Sequence, residues 1–438
     1  MKIKLPQLHE MSLSNGLKVI IGKKSDLPLI NIEVMVKAGA AENPAGLSGL
    51  SDVTSELITR GSTTITADKL DLELDRSGIA LSPGETYDAS FLTISGLAED
   101  FHQMMRIISD LLLHPSFPEG ELADLKKRRL AQLAERENNP SLIASDTLRE
   151  ILYHDHPYGH PLEGTRDSIK RISIDIIRAF YAQQYTPIRS TLLIMGDISD
   201  EDMIIEECQS LFTDWSFEPS HHCALSSPSH NRGINVWLVN KPELTQSQIR
   251  FGHIGIKSDN PDFFAIQVMN YILGGGGFAS RLMTQIRSVK GYTYGISSTF
   301  NPRLERGPFL ISTFTANETV KELIMCVYDT INQFIDEGPS THELDEAKQF
   351  FCGNYPLQFD TIGKIAGKLL SVELYNLGRD YIEQYTDNIA AVSLEDVQEA
   401  AKKYVQPDNF NIVIVGKSAA YRDALSSLEG FAVYDKEI

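Results

Sequence analysis

The sequence predicts two copies of one mixed helix-and-strand domain joined by a linker. Three observations predict it. The chain has 438 residues, more than a single ordinary core organises. A set of residues near the middle returns in the same order near the end, each pair 220 positions apart (387 − 167, 416 − 196). The front of each half also reads the same way, as two strands followed by a helix. The boundaries that follow are 1–215 for the first domain, 216–232 for the linker and 233–438 for the second domain.

In the first half, Gly16 to Ile21 reads as a strand. Ile30 to Val36 reads as a second, with Ile30, Ile32, Val34 and Val36 on one face. A helix follows over roughly Leu47 to Arg60. In the second half, Ile234 to Val239, Gln248 to Ile254 and a helix over Pro261 to Leu273 repeat this order. The ends of the halves carry the 220-residue echo. Asp167, Ile169, Ile172, Ser173, Ile177, Pro187, Ile194 and Gly196 match Asp387, Ile389, Val392, Ser393, Val397, Pro407, Ile414 and Gly416. In each, a serine N-cap opens an amphipathic helix, Tyr and Pro end it, and an apolar run closed by Gly makes a strand (Thr191 to Met195, Asn411 to Val415). Ser393 and Asp396 have capping-box spacing. The Ser-, Pro- and His-rich stretch Phe217 to Gly233 lacks periodicity and reads as the linker. Its adjacent His221, His222 and Cys223 are poorly arranged for a closed metal site.

Composition narrows the functional classes. The hydrophobic fraction of 42% and charged fraction of 23% are those of a soluble globular protein. A net charge of −19 disfavours nucleic acid and anionic membrane surfaces as partners. No apolar run is long enough for a membrane helix, and the first twenty residues show no signal-peptide h-region. The expectation is a cytoplasmic protein, or a periplasmic one if a signal peptide has been removed. Cys208, Cys223, Cys326 and Cys352 form no CxxC pair and read as thiols.

The stretch Gly49-Leu-Ser-Asp-Val-Thr-Ser-Glu-Leu-Ile-Thr-Arg-Gly-Ser62 resembles the signature helix of the pitrilysin and mitochondrial-processing-peptidase family, which carries H-x-x-E-H in active members. There, two histidines one turn apart bind zinc, the glutamate acts as general base, and a downstream glutamate completes the site. The resemblance puts the first histidine at Asp52, the base at Ser55 and the second histidine at Glu56. The downstream glutamate falls at Gln132, 76 residues after Glu56 (132 − 56), in Leu130-Ala-Gln-Leu-Ala-Glu-Arg-Glu-Asn-Asn-Pro140. All four positions are changed. Asp52 and Glu56 retain only the option of a hard cation on one helix face, since zinc favours imidazole or thiolate. The run His154-Asp-His-Pro-Tyr-Gly-His-Pro161, followed by Gly164-Thr165, resembles a loop that the family carries as structure.

The second half keeps other equipment. Leu273-Gly-Gly-Gly-Gly-Phe-Ala-Ser-Arg-Leu-Met283 resembles the family's glycine-rich segment, and no Gly-Lys-Ser/Thr follows to make it a phosphate loop. Gly274, Gly275, Gly276 and Gly277 permit unusual backbone angles and close approach of another chain, and also read as a flexible connector between helices. A helix from about Ser280 to Lys290 follows, with Leu282, Met283, Ile286 and Val289 as its apolar stripe and Gly291 as its stop. Then comes a strand with Tyr292, Tyr294 and Ile296 on one face. The resemblance implies that Arg287 and Tyr294, seven residues apart, face the substrate chamber and donate to the carbonyl under attack.

The resemblance spans nearly the whole chain. It implies an α+β fold of two homologous domains, each a mostly antiparallel sheet with helices packed on one side, in a clam-like arrangement. Its first functional implication is the non-catalytic, zinc-less subunit of a heterodimeric metalloendopeptidase. Arg287 and Tyr294 would complete the active site of a homologous H-x-x-E-H partner, which holds the zinc, and the glycine run would bind unfolded peptide. An edge strand of the first domain would hold extended peptide by main-chain bonds. The rivals are a structural subunit like the core proteins of a respiratory complex, and a free peptide-binding protein. The chain itself is expected to need no cofactor and to self-associate when isolated.

Overall fold

A computed structural model describes residues 3–216, 225–229 and 232–437. The first half contributes β1 (Leu8–Ser12), β2 (Lys18–Lys23), β3 (Leu29–Val36), β4 (Ala80–Glu85), β5 (Ser90–Leu97) and β6 (Ser190–Gly196). They form one sheet in the order β1-β2-β6-β3-β5-β4, antiparallel except between β2 and β6. The second half contributes β7 (Ile234–Asn240), β8 (Gln246–Ile254), β9 (Ile296–Phe300), β10 (Pro308–Ala316), β11 (Asn411–Gly416) and β12 (Phe431–Asp435) in the order β12-β7-β11-β8-β10-β9. Five strands of each sheet correspond one to one. The sixth place, at the outer edge, is taken by the N-terminal strand in the first sheet and by the C-terminal strand, parallel to β7, in the second.

The echoed segments fold as their sequence directs. Ser173 accepts from the Ile176 amide to open the Ile174–Gln184 helix. Ser393 opens Leu394–Tyr404 with a complete capping box to Asp396. The apolar runs that follow become β6 and β11, buried along their whole length. A strand buried on both faces needs a cover on each side.

That cover comes from an exchange. Val19, Ile21, Ile32, Val34, Leu192 and Ile194 face the helices of their own half. On the opposite face, Ile20, Met35, Leu193 and Met195 meet the Ile362–Leu374 helix of the second half through Ile365, Ala366, Leu369 and Leu370. Reciprocally, the Pro140–Tyr153 helix of the first half lies on β8 and β11, where Ile143, Leu148, Ile151 and Leu152 pack on Val413, Val415 and Ile254. Gly252 of β8 makes this approach possible, because a Cβ there would stand 2.9 Å from Leu148 and 3.1 Å from Leu152. Each half's own helices thus occupy one face of its sheet, and the other face receives a single helix from the opposite half.

Polar groups fasten the exchange. Arg250 of β8 is buried and donates to Ser145 Oγ (3.0 Å), the Ser141 carbonyl and hydroxyl, and the Thr313 carbonyl. Asp88 of the first half is buried and accepts from Tyr158 Oη at 2.5 Å, the Leu304 amide at 3.1 Å and Tyr375 Oη at 3.2 Å. The Arg303 guanidinium lies over the rings of Tyr87 and Tyr158, 3.8 and 4.6 Å from their centroids. Among the described residues no helix is long and apolar enough to cross a membrane.

Candidate functional site

The signature helix forms over Leu50–Ile58, two to three residues inside the expected span at each end. Gly49, in left-handed geometry at φ 85°, starts it. A Cβ there would stand 2.9 Å from the Glu163 carbonyl and from Gly164. Asp52 and Glu56 fall one turn apart on the face toward the Glu119–Arg136 helix, which carries Gln132.

Arg129, from that second helix, occupies the space between them. Its Nη2 donates to Asp52 Oδ2 at 2.5 Å and to Glu56 Oε2 at 3.3 Å. Its Nη1 donates to Gln132 Oε1 at 3.1 Å. Arg128 Nη2 adds a bond to Glu56 Oε1 at 2.9 Å. One guanidinium therefore touches all three side chains standing at the positions of zinc ligands. At the fourth position, Ser55 Oγ donates to the Asp52 carbonyl at 3.0 Å, and a hydroxyl so engaged is no general base. The donor set does not fit zinc, and a fixed cation already neutralises it. Among the described residues no three His, Cys, Asp or Glu side chains gather as a metal site.

Burial raises the Asp52 carboxyl to about 6 against the opposing charge of Arg129. Near it, Glu85 at the end of β4 is half-buried, with both carboxyl oxygens enclosed. Burial raises its carboxyl well above the usual range. A carboxyl raised in the folded state holds its proton longer there than in the unfolded chain. Asp52 therefore contributes stability below 3.8 that is lost as pH rises through about 6. Arg129→Ala removes the cation that restrains this shift. It is expected to destabilise the chain by about 1–3 kcal/mol at neutral pH and to move the Asp52 titration upward, read by thermal unfolding between acid and neutral pH.

The His154 to Pro161 run is structural. His156 is buried, its Nδ1 accepts from the Tyr158 amide at 3.1 Å, and its Nε2 bonds the Ser226 carbonyl at 2.8 Å. Those two bonds place the proton on Nε2. His221, His222 and Cys223 lie outside the described residues. Cys208, Cys326 and Cys352 are free thiols.

In the second half the helix Phe263–Asn270 continues as a π-turn over Tyr271–Gly275, so Gly274 and Gly275 extend the helix instead of forming a loose connector. Gly274 packs against β9, where a Cβ would meet Ser298 Oγ at 2.5 Å, and Gly277 takes φ 57°. The expected helix from Ser280 to Lys290 winds mainly as a π-helix over Met283–Val289. Its stripe is narrower than expected: Leu282 and Ile286 are buried, Met283 is half-buried and Val289 is exposed. The following strand begins at Ile296, four residues after Tyr292. Thr293 Oγ1 donates to the Gly295 carbonyl and accepts from the Gly295 amide, which holds 293–295 in a local turn and keeps Tyr292 and Tyr294 out of the sheet. Tyr294 projects from this bend, 79% exposed.

Arg287 and Tyr294 line one open cleft of about 450 Å³ with Gln246, Gly291, Thr315 and Thr319. None of Asp52, Ser55, Glu56 or Gln132 borders it. Arg281, at the start of the π-helix, is clamped by Glu343 through bonds of 2.6 and 2.8 Å and also reaches the Gly338 carbonyl. The Arg281 and Ser340 bonds hold the Glu343 carboxyl down at about 2 although burial opposes them. A depressed carboxyl contributes stability above its unfolded value that is lost as pH falls toward 2. Glu343→Gln is accordingly expected to flatten the acid limb of the stability curve between 4.5 and about 2.

Residues 18–166 match the family model described as Insulinase (Peptidase family M16), and residues 171–351 match Peptidase M16 inactive domain. The chain belongs to peptidase family M16. Among M16 relatives it is 22% identical over 92% of its length, and 96% of the relative's, to a Bacillus subtilis protein described as an uncharacterized zinc protease, YmxG. It is 23% identical, over 91% of each chain, to a Helicobacter pylori protein described as a non-peptidase homolog, YmxG. The solved structure of a peptidase M16 inactive domain from Pseudomonas fluorescens superposes with a TM-score of 0.86 and 26% identity, covering 93% of this chain and 98% of that one. Within family M16, the loss of all four motif side chains and the presence of Arg129 among them make this a zinc-less member.

Of the site residues, the sequence named Asp52, Ser55, Glu56, Gln132, Arg287, Tyr294 and the glycines. It did not name Arg129, although Arg129 stands three residues before Gln132 and so shares its helix face. Glu85 carried no signal in spacing.

Proposed function

We propose that this chain is the non-catalytic subunit of a heterodimeric zinc metalloendopeptidase, binding unfolded peptide and lending Arg287 and Tyr294 to the active site of a homologous H-x-x-E-H partner. The observation that carries the reading is the separation of the two sets of equipment. The metal position holds a guanidinium, while a guanidinium and a phenol line an open cleft that the degenerate motif does not border. A scaffold has no use for two donors lining an open cleft, which supports this reading over the structural-subunit alternative.

Zinc in the partner would supply the activated water and polarise the scissile carbonyl. This chain's part is to bind and to donate. Tyr294 Oη and the Arg287 guanidinium present N–H and O–H groups where negative charge develops on the carbonyl oxygen, and such donors act through their placement before reaction. β4 forms one edge of the first sheet and offers main-chain groups to an extended peptide, apart from Pro83, which has no amide hydrogen.

Metal analysis of the co-purified assembly tests the pairing. The expected result is a stable complex with one zinc per two chains, and no zinc on this chain alone. Zinc on the isolated chain, or failure to associate with any H-x-x-E-H relative, would overturn it.

A further inference from the structure

Phe278 is 70% exposed, next to the last glycine of the run. Its backbone is fixed: Gly277 takes a positive φ of 57°, and the buried Ser280 closes the turn by donating its hydroxyl to the Gly277 carbonyl at 2.7 Å. The ring lies over Arg287, whose Cζ is 4.5 Å from the ring centroid. Phe278 lies in the turn between two π-helical segments, Tyr271–Gly275 and Met283–Val289, and Arg287 lies on the second of them. Such windings are rare and tend to mark places where a side chain is turned for a function.

We infer that Phe278 is the positioning residue for Arg287. An arginine on a half-exposed helix face samples many rotamers, and ordering it opposes binding. Stacking uses the face of the guanidinium and leaves its N–H edges free to donate, so the ring restrains the group without occupying it. The glycine run then acts as a rigid bracket: Gly274 seats it on β9, Gly277 turns it, and Phe278 carries the restraint to Arg287. This inference rests on the reading of Arg287 as a substrate-binding group.

The test is a double-mutant cycle in the full chain, with fluorescein-labelled casein as the unfolded probe and anisotropy as the readout. Phe278→Leu is expected to weaken binding about two- to fivefold, the range of an exposed cation–π pair. Phe278→Trp should retain affinity, which a loss of loop structure would not allow. In the Arg287→Ala background, Phe278→Leu should add nothing. Full additivity, or failure of the Trp variant to rescue, overturns the inference. If Arg287→Ala alone leaves binding unchanged, the reading of Arg287 fails instead. The rate of chymotrypsin cleavage after Phe278 then decides the stacking by itself: faster cleavage in Arg287→Ala upholds it, and equal rates refute it.

Discussion

In the proposed pairing with a zinc-bearing sister, Tyr294→Phe is expected to lower peptide turnover by the mixture about 10²- to 10³-fold while leaving this chain's stability unchanged. The substitution removes one hydroxyl from a side chain that is 79% exposed on a turn, so no packed contact is at risk. The loss should appear in kcat more than in KM, because the proposed role sets this hydroxyl against charge that exists only in the transition state. Arg287→Ala should cost a similar factor and also raise KM, since a guanidinium binds the ground-state carbonyl as well. The double variant should fall short of the product of the two, as expected for groups that act on one oxygen. Unfolding curves of the single variants that coincide with wild type would assign the whole effect to function.

The second large effect is structural. Asp88→Ala is expected to destabilise the chain by about 3–5 kcal/mol, measured by urea or thermal unfolding. The carboxylate accepts from Tyr158 in its own half and from Leu304 and Tyr375 in the other. Removing it leaves the buried Tyr158 hydroxyl, the half-buried Tyr375 hydroxyl and the Leu304 amide without this acceptor, next to an Arg303 guanidinium lying over the Tyr87 and Tyr158 rings. Asp88→Asn keeps an acceptor oxygen and should cost roughly a third as much. The partners lie in both halves, so Asp88→Ala should also broaden the unfolding transition as the halves lose cooperativity. A change below about 1 kcal/mol would mean that the halves are held by apolar packing alone.

The repeat was legible because its signals are local. Serine caps at 173 and 393, apolar runs closed by glycine and the paired opening strands each depend on a few neighbouring residues. The degenerate motif was legible as well, since spacing alone places Asp52, Ser55, Glu56 and Gln132. What the sequence withheld is tertiary. The apolar faces of Ile362–Leu374 and Pro140–Tyr153 announce burial but not that each is buried on the sheet of the opposite half. The pairing of Asp52 and Glu56 with Arg129 joins residues more than seventy positions apart, at a distance where periodicity gives no information. At Tyr294 the alternation of Tyr292, Tyr294 and Ile296 suggested a strand, and a threonine hydroxyl bonded to the Gly295 backbone overrode it.

At the degenerate motif the Arg129 guanidinium supplies positive charge to Asp52 and Glu56 and donates to the Gln132 amide oxygen. The cleft that keeps the donor pair remains open to solvent and to another chain.

The most direct test of the account is peptide hydrolysis by this chain alone and mixed with an H-x-x-E-H sister, each with and without a zinc chelator. The expected result is no cleavage by the chain alone, cleavage by the mixture, and loss of that cleavage on chelation. Chelator-sensitive cleavage by the chain alone would contradict it and return the metal question to Asp52 and Glu56.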